Sequence, residues 1–171
     1  LIARARNTRE FFVMDENFLK EKKRALELLQ EMEKNRCWFN FYISSSAEAI
    51  ADFGLDNMVR LGVCFVWIGF ESQNTENLFA KNARLDARQL VRELRDRGIS
   101  VLGSTILCME HHTPENIGAD IDYAVGLNTD FVQFMLYTGM PVTQLYLDHK
   151  ARGLLKKDLP YEEWHGQNML N

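Results

Sequence analysis

Residues 99–117 read ISVLGSTILCMEHHTPENI, and the change of pattern inside this stretch decides the fold. Its first half is a continuous apolar run with Val101, Ile106 and Leu107, the mark of a strand buried on both faces. The run stops at Glu110-His111-His112. A helix is expected to restart from there, with Thr113 as N-cap and Pro114 at the first helical position. A strand that passes through a polar elbow into a capped helix is one βα unit. In α/β folds, chemistry gathers at such carboxyl ends.

The same unit recurs in both directions. Residues 11–15 (FFVMD) form a short apolar run, and 18–35 place Ala25, Leu28, Leu29 and Met32 at helical spacing. Residues 38–43 (WFNFYI) are strand-like. Two helical pieces follow, 47–53 and 57–61, broken at Gly54, with Asp56 as the expected cap of the second. Residues 63–70 (VCFVWIGF) are a second strongly apolar strand. Asp86-Ala-Arg-Gln89 has the form of a capping box, opening a helix with Leu90, Val91 and Leu94 inward and Gly98 at its end. After the elbow, Ile117, Ile121 and Val125 share a helix face. Residues 131–136 (FVQFML) are the fifth strand, and 142–152 a last helix before Gly153. Five strands, each followed by helical sequence, predict an α/β protein with a parallel sheet and right-handed crossovers. No Gly-rich dinucleotide fingerprint or P-loop follows any strand, so a partial (β/α) barrel of about five units fits better.

The composition is that of a globular chain: 171 residues, 46% hydrophobic, 26% charged. A net charge of −4 gives no electrostatic basis for nucleic acid as a partner. No run approaches a transmembrane helix. The three cysteines, Cys37, Cys64 and Cys108, are odd in number and scattered, which suits a reducing, cytoplasmic setting without disulfides. The chain begins Leu-Ile-Ala-Arg and ends in WHGQNMLN, and we read it as an internal piece of a longer protein.

Four of the five strands end in polar clusters: Asp15-Glu16-Asn17, Ser44-Ser45-Ser46, Glu71-Ser72-Gln73-Asn74 and Glu110-His111-His112. Parallel strands bring these ends to one rim. Asp15 or Asn17 also suits a helix cap, and the serines suit a turn that satisfies backbone groups. Glu71 ends an eight-residue apolar run abruptly, as a carboxylate that receives paired hydroxyls of a ribose diol would. Glu110, His111 and His112 raise the alternative of a metal-dependent barrel hydrolase. Their adjacency, however, lacks the one-turn spacing of zinc hydrolase motifs, and hydrogen bonding at the rim is the preferred reading.

Taken together, FFVMDENFL (11–19), GFESQN (69–74), VLGSTILCMEHHTPENI (101–117) and FVQFMLYTGMPVTQLY (131–146) resemble the radical S-adenosylmethionine superfamily. The likeness is greatest to the group whose members carry an N-terminal cobalamin-binding domain. It implies a partial (β/α)6 barrel of which this chain supplies the second to sixth strands over residues 1–153, with 154–171 starting a C-terminal extension. It also implies an enzyme in which a 4Fe–4S cluster reductively cleaves S-adenosylmethionine to a 5′-deoxyadenosyl radical, with cobalamin-dependent methyl transfer among the group's chemistries. By the same resemblance, Asp15 and Glu16 receive the methionine amino group. Glu71, with Ser72 and Asn74, holds the ribose, and Ser44 joins these cofactor contacts. Gly103 and Ser104 lie along the adenine, as do Leu136 and Tyr137. The expected partners are a small-molecule substrate, and the cluster loop and cobalamin-binding domain of the same full-length protein.

Three departures accompany the resemblance. No CxxxCxxC loop is present, so the cluster's ligands are expected outside this chain, which alone is expected to be inactive. Cys108 stands where relatives often have glycine. Gly139 and Val142 interrupt the TPxPGTxLY pattern, here YTGMPVTQLY at 137–146. A non-catalytic nucleoside-binding or scaffold barrel is the remaining alternative.

Overall fold

Five parallel strands form one sheet in their order along the chain: β1 (Glu10–Phe12), β2 (Asn40–Ser44), β3 (Val63–Gly69), β4 (Ser100–Leu107) and β5 (Phe131–Leu136). This computed structural model describes residues 2–70, 86–156 and 160–164. A strand order that never reverses, with right-handed crossovers, keeps every connecting helix on one side. The other side is then the concave interior of a partial barrel, and the α/β barrel expectation holds.

The helices are α1 (Ile2–Arg6), α2 (Lys22–Lys34), α3 (Ala47–Phe53), α4 (Leu55–Leu61), α5 (Ala87–Asp96), α6 (Ile117–Gly126) and α7 (Gln144–Ala151). The core lies between sheet and helices. Ile43, Val66, Ile68 and Val101 pack from the strands against Leu29, Ile50, Met58 and Leu94 from the helices. Each such side chain contributes about 1.5–3 kcal/mol by leaving water. The fold depends on this layer.

Burial alternates along β4. Val101, Gly103, Thr105 and Leu107 are buried, whereas Leu102, Ser104 and Ile106 are half-buried. The strand is therefore covered fully on its helix side only, not on both faces as its apolar run predicts. Its other side chains face the concave interior.

Several local expectations need correction. The second helix starts at Lys22, after a 3-10 turn over Phe18–Lys20. Gly54 (φ 91°) rather than Asp56 precedes α4, and Asp56 lies inside the helix. Thr113 and Pro114 belong to a turn closed by Asn116, whose Oδ1 accepts from Thr113 N at 2.7 Å, so α6 begins only at Ile117. The inward residues of α6 are Asp120 and Ala124, while Val125 is exposed, because Asp120 is drawn in by His112. Asp86 does cap α5 by accepting from Gln89 N at 3.0 Å, but the Gln89 side chain bonds Glu93 instead of closing the box.

Candidate functional site

At the carboxyl ends of β3, β4 and β5 a cleft of about 360 Å³ opens on the concave side. Trp67 and Gly69 of β3, Ser104 and Ile106 of β4, Met135 and Leu136 of β5, and Tyr137 just after it line the cleft. Thr138 and Met140 from the following loop, with Leu145 of α7, close its outer wall. Parallel pairing sets this geometry: Gly69 is opposite Ser104, and Ile106 is opposite Met135. Residues two apart on a strand share a face. The result is a mostly apolar slot with a few polar groups, the usual make-up of a small-molecule site.

Of the residues expected to contact a cofactor, Ser104, Leu136 and Tyr137 meet in this cleft. Ser44 is next to it, opposite Trp67 in the β2–β3 register. Gly103 points the other way. A Cβ there would come within 3.0 Å of Thr129 Cγ2 and 3.3 Å of Phe70 Cδ2, on the helix side of the sheet. Its small size serves helix-side packing, which corrects its expected place along the interior. Asp15 and Glu16 follow β1 at the far edge of the sheet and do not line the cleft. Glu71, Ser72 and Asn74 lie outside the described residues. Trp67, Ile106, Met135, Met140 and Leu145 were not anticipated. The two-residue repeat of a strand puts the first three on one face with Gly69 and Ser104, but the unbroken apolar runs do not show which face lines a cleft.

The rim around the cleft is held by polar cross-links. Asn17 Oδ1 accepts from Ser45 Oγ (2.9 Å) and Ser46 N (3.1 Å), joining the loops after β1 and β2. Ser46 caps α3 through Ala49 N. The serine run thus satisfies backbone groups. Arg24 donates to Asp15, and its guanidinium, helped by the Asn17 N–H, holds the Asp15 carboxyl below the usual range. Glu110 turns to Arg152 at the end of α7, which likewise lowers its carboxyl. His149 of α7 is fully buried against the Tyr137 ring. Its Nε2 comes within 3.4 Å of Glu110, but neither ring nitrogen is hydrogen-bonded among the described residues.

Glu110 therefore does not converge with the histidines, and the expected alternative trio is not formed. Asp120 joins them instead: ligand atoms of His111, His112 and Asp120 lie within 4.8 Å of one another. Yet His112 already uses both nitrogens, with Nδ1 accepting from Met109 N at 3.0 Å and Nε2 against Asp120 at 2.7 Å. A metal would have to displace the second bond.

A larger hollow of about 810 Å³ lies at the opposite, amino-terminal end of β4. It is the seam between α5 and α6. Arg95 there pairs with Asp130 and donates to Asn128 O. Size does not make it the site.

No protein-family model matches the chain. An uncharacterized methyltransferase of Pyrococcus horikoshii is 26% identical over 150 residues, spanning 86% of this chain. The chain spans only about a third (33%) of that relative's length. The radical S-adenosylmethionine methyltransferase TsrM of Kitasatospora setae, solved with cobalamin and a [4Fe-4S] cluster, superposes with a TM-score of 0.64 at 19% identity, over 78% of this chain and 27% of that one. Coproporphyrinogen III oxidase (HemN) of Escherichia coli, a radical SAM enzyme, gives 0.57 at 20% identity, over 84% and 34%. The fold is thus that of the radical S-adenosylmethionine barrels, as the sequence resemblance implies.

The cysteines do not fit a cluster site. Cys64 is the second residue of β3 and its Sγ donates to Phe41 O at 3.5 Å, at the amino end of the sheet. Cys108 follows β4 at the other end, and Cys37 is exposed before β2. With no other cysteine in the sequence, this chain does not supply a three-cysteine loop. Among the described residues no helix is long and apolar enough to cross a membrane.

Proposed function

We propose that this chain is the nucleoside-binding part of a radical S-adenosylmethionine enzyme, with the ligands of its 4Fe–4S cluster, and any cobalamin-binding domain, outside these residues. The observation that carries this reading is the cleft at the strand ends, where Ser104, Leu136 and Tyr137 come together beside Trp67 and Ile106. A mostly apolar slot of this size has room for a purine, and Ser104 adds a hydroxyl that can donate or accept. Tyr137, Met140 and Leu145 would shield the bound nucleoside from water. Asp15 and Glu16, at the edge strand, would receive the amino group of the methionine moiety. Ser44, Glu71, Ser72 and Asn74 remain its proposed polar contacts. Gly103 acts only through packing behind the slot. The catalysed reaction and its cytoplasmic setting belong to the same proposal.

Isothermal titration with S-adenosylhomocysteine tests it. Binding is expected, and Ser104→Trp, which places an indole in the cleft, is expected to abolish it. Unchanged affinity in that variant would sink the reading. In the complete protein, reduced anaerobically, 5′-deoxyadenosine should form from S-adenosylmethionine and should not form with Ser104→Trp.

A further inference from the structure

The strand registers stack the interior side chains in levels. Phe12, Tyr42 and Phe65 share the lowest of them. Above it Ser44, Trp67, Leu102 and Phe131 are neighbours across four strands. Next come Gly69, Ser104 and Gln133, and then Ile106 and Met135 beside the cleft. The lower levels form a floor of rings, with centroids 5.9 Å apart for Tyr42–Phe65 and 6.3 Å for Phe65–Phe131. Phe131 remains 57% exposed on this floor.

The level above the rings holds an unmet polar group. Gln133 Oε1 is buried, and it has no hydrogen-bond partner among the described residues. A buried acceptor left this way keeps its desolvation penalty, which a ligand removes by bringing a donor. Rings on the floor favour a flat aromatic body through offset or edge contacts. Apolar contact alone would accept any hydrophobe, whereas the amide selects for one carrying a donor.

We infer that the barrel interior takes a substrate with a planar aromatic ring that bears an N–H or O–H group, the ring resting on Phe65 and Phe131 and the donor meeting Gln133. This rests on the nucleoside reading of the cleft, whose lining does not include Phe65, Phe131 or Gln133 and so leaves them for a second ligand beside it.

Calorimetric titration of the complete protein with indole and with 1-benzothiophene, an isostere lacking the N–H, tests the inference. Indole is expected to bind about tenfold more tightly, the worth of one hydrogen bond made to an otherwise unpaired group. Gln133→Leu and Gln133→Met should bring the two ligands to equal affinity, with the thermal midpoint at or above that of the parent. Equal affinity in the parent, a preference that survives both substitutions, or no binding of either ring overturns the inference. S-adenosylhomocysteine titrated into the same samples separates the two readings. If it binds while indole does not, only the substrate class fails; if indole is selected without it, only the nucleoside reading fails.

Discussion

His112 and Asp120 form a buried pair, Nε2 to Oδ2 at 2.7 Å, with side chains 4% and 2% exposed. The Met109 N–H donates to His112 Nδ1. A backbone N–H can only donate, so Nδ1 carries the lone pair and the ring proton sits on Nε2, aimed at the carboxylate. The pair ties the elbow after β4 to α6. It explains why an aspartate occupies the inward face of that helix.

His112→Ala should therefore cost about 3 kcal/mol, since it takes the imidazole N–H away from a buried carboxylate and leaves the Met109 N–H without its acceptor. Asp120→Asn keeps an acceptor for Nε2 and should cost about 1 kcal/mol. Urea titrations followed by circular dichroism give both numbers. A His112→Ala midpoint equal to the parent's would show that the pair contributes nothing.

Asp15 gives a pH-dependent prediction. Arg24 foremost, then the Asn17 N–H, hold its carboxyl below the ordinary 3.8. A carboxyl depressed in the folded state adds stability above its unfolded value of about 3.9, and loses it as pH falls through the folded value. Both side chains are part-exposed, at 52% and 35%, so the contribution is small. In Arg24→Ala the Asp15 titration, followed by carboxyl carbon NMR, should move up toward 3.8, and acid unfolding below pH ~4 should lose some of its steepness. An unmoved midpoint would assign the depression to the backbone alone.

Strand existence and order were legible because apolar runs bounded by polar elbows leave few alternatives. The cleft was half legible: Ser104 and Tyr137 are implied by the family resemblance, but Trp67 and Ile106 were hidden in runs that look buried throughout. One-sided burial is a property of the barrel, not of the run. The start of α6 was misplaced because Thr113-Pro114 carries the local chemistry of a helix start, while Asn116 closes a turn across it. The inward Asp120 was invisible for a different reason. Its partner His112 is eight residues away, and helical periodicity assigns the inward face to apolar side chains.

Gly139 links the fold to the cleft. A Cβ on it would come within 2.8 Å of Tyr146 N and 2.9 Å of Tyr146 Cα, against the backbone of the first turn of α7. That backbone cannot yield as a flexible side chain could. Gly139→Ala should push α7 outward, costing about 1–3 kcal/mol. Because Leu145 and Met140 wall the cleft, affinity for S-adenosylhomocysteine should fall as well. A variant with parental affinity and lowered stability would separate α7 from the site.

Val142 stands where the resembled pattern has glycine, and it holds φ 66° with 92% of its surface exposed. A β-branched residue in left-handed backbone costs about 1–3 kcal/mol. The turn enforces it, because Thr143 Oγ1 donates to Met140 O and accepts from Tyr146 N as the cap of α7. Cys108, at the other departure, also sits left-handed at φ 61°. Val142→Gly loses no packing and relieves the strain, against about 0.5–1 kcal/mol of extra unfolded-state entropy. The net expectation is a gain of about 1 kcal/mol, with stability in the order Gly, Asn, Ala, Val at this position. Thermal melts of the four variants check that order. A parent more stable than Val142→Gly would mean that the valine side chain makes contacts which outweigh its backbone strain.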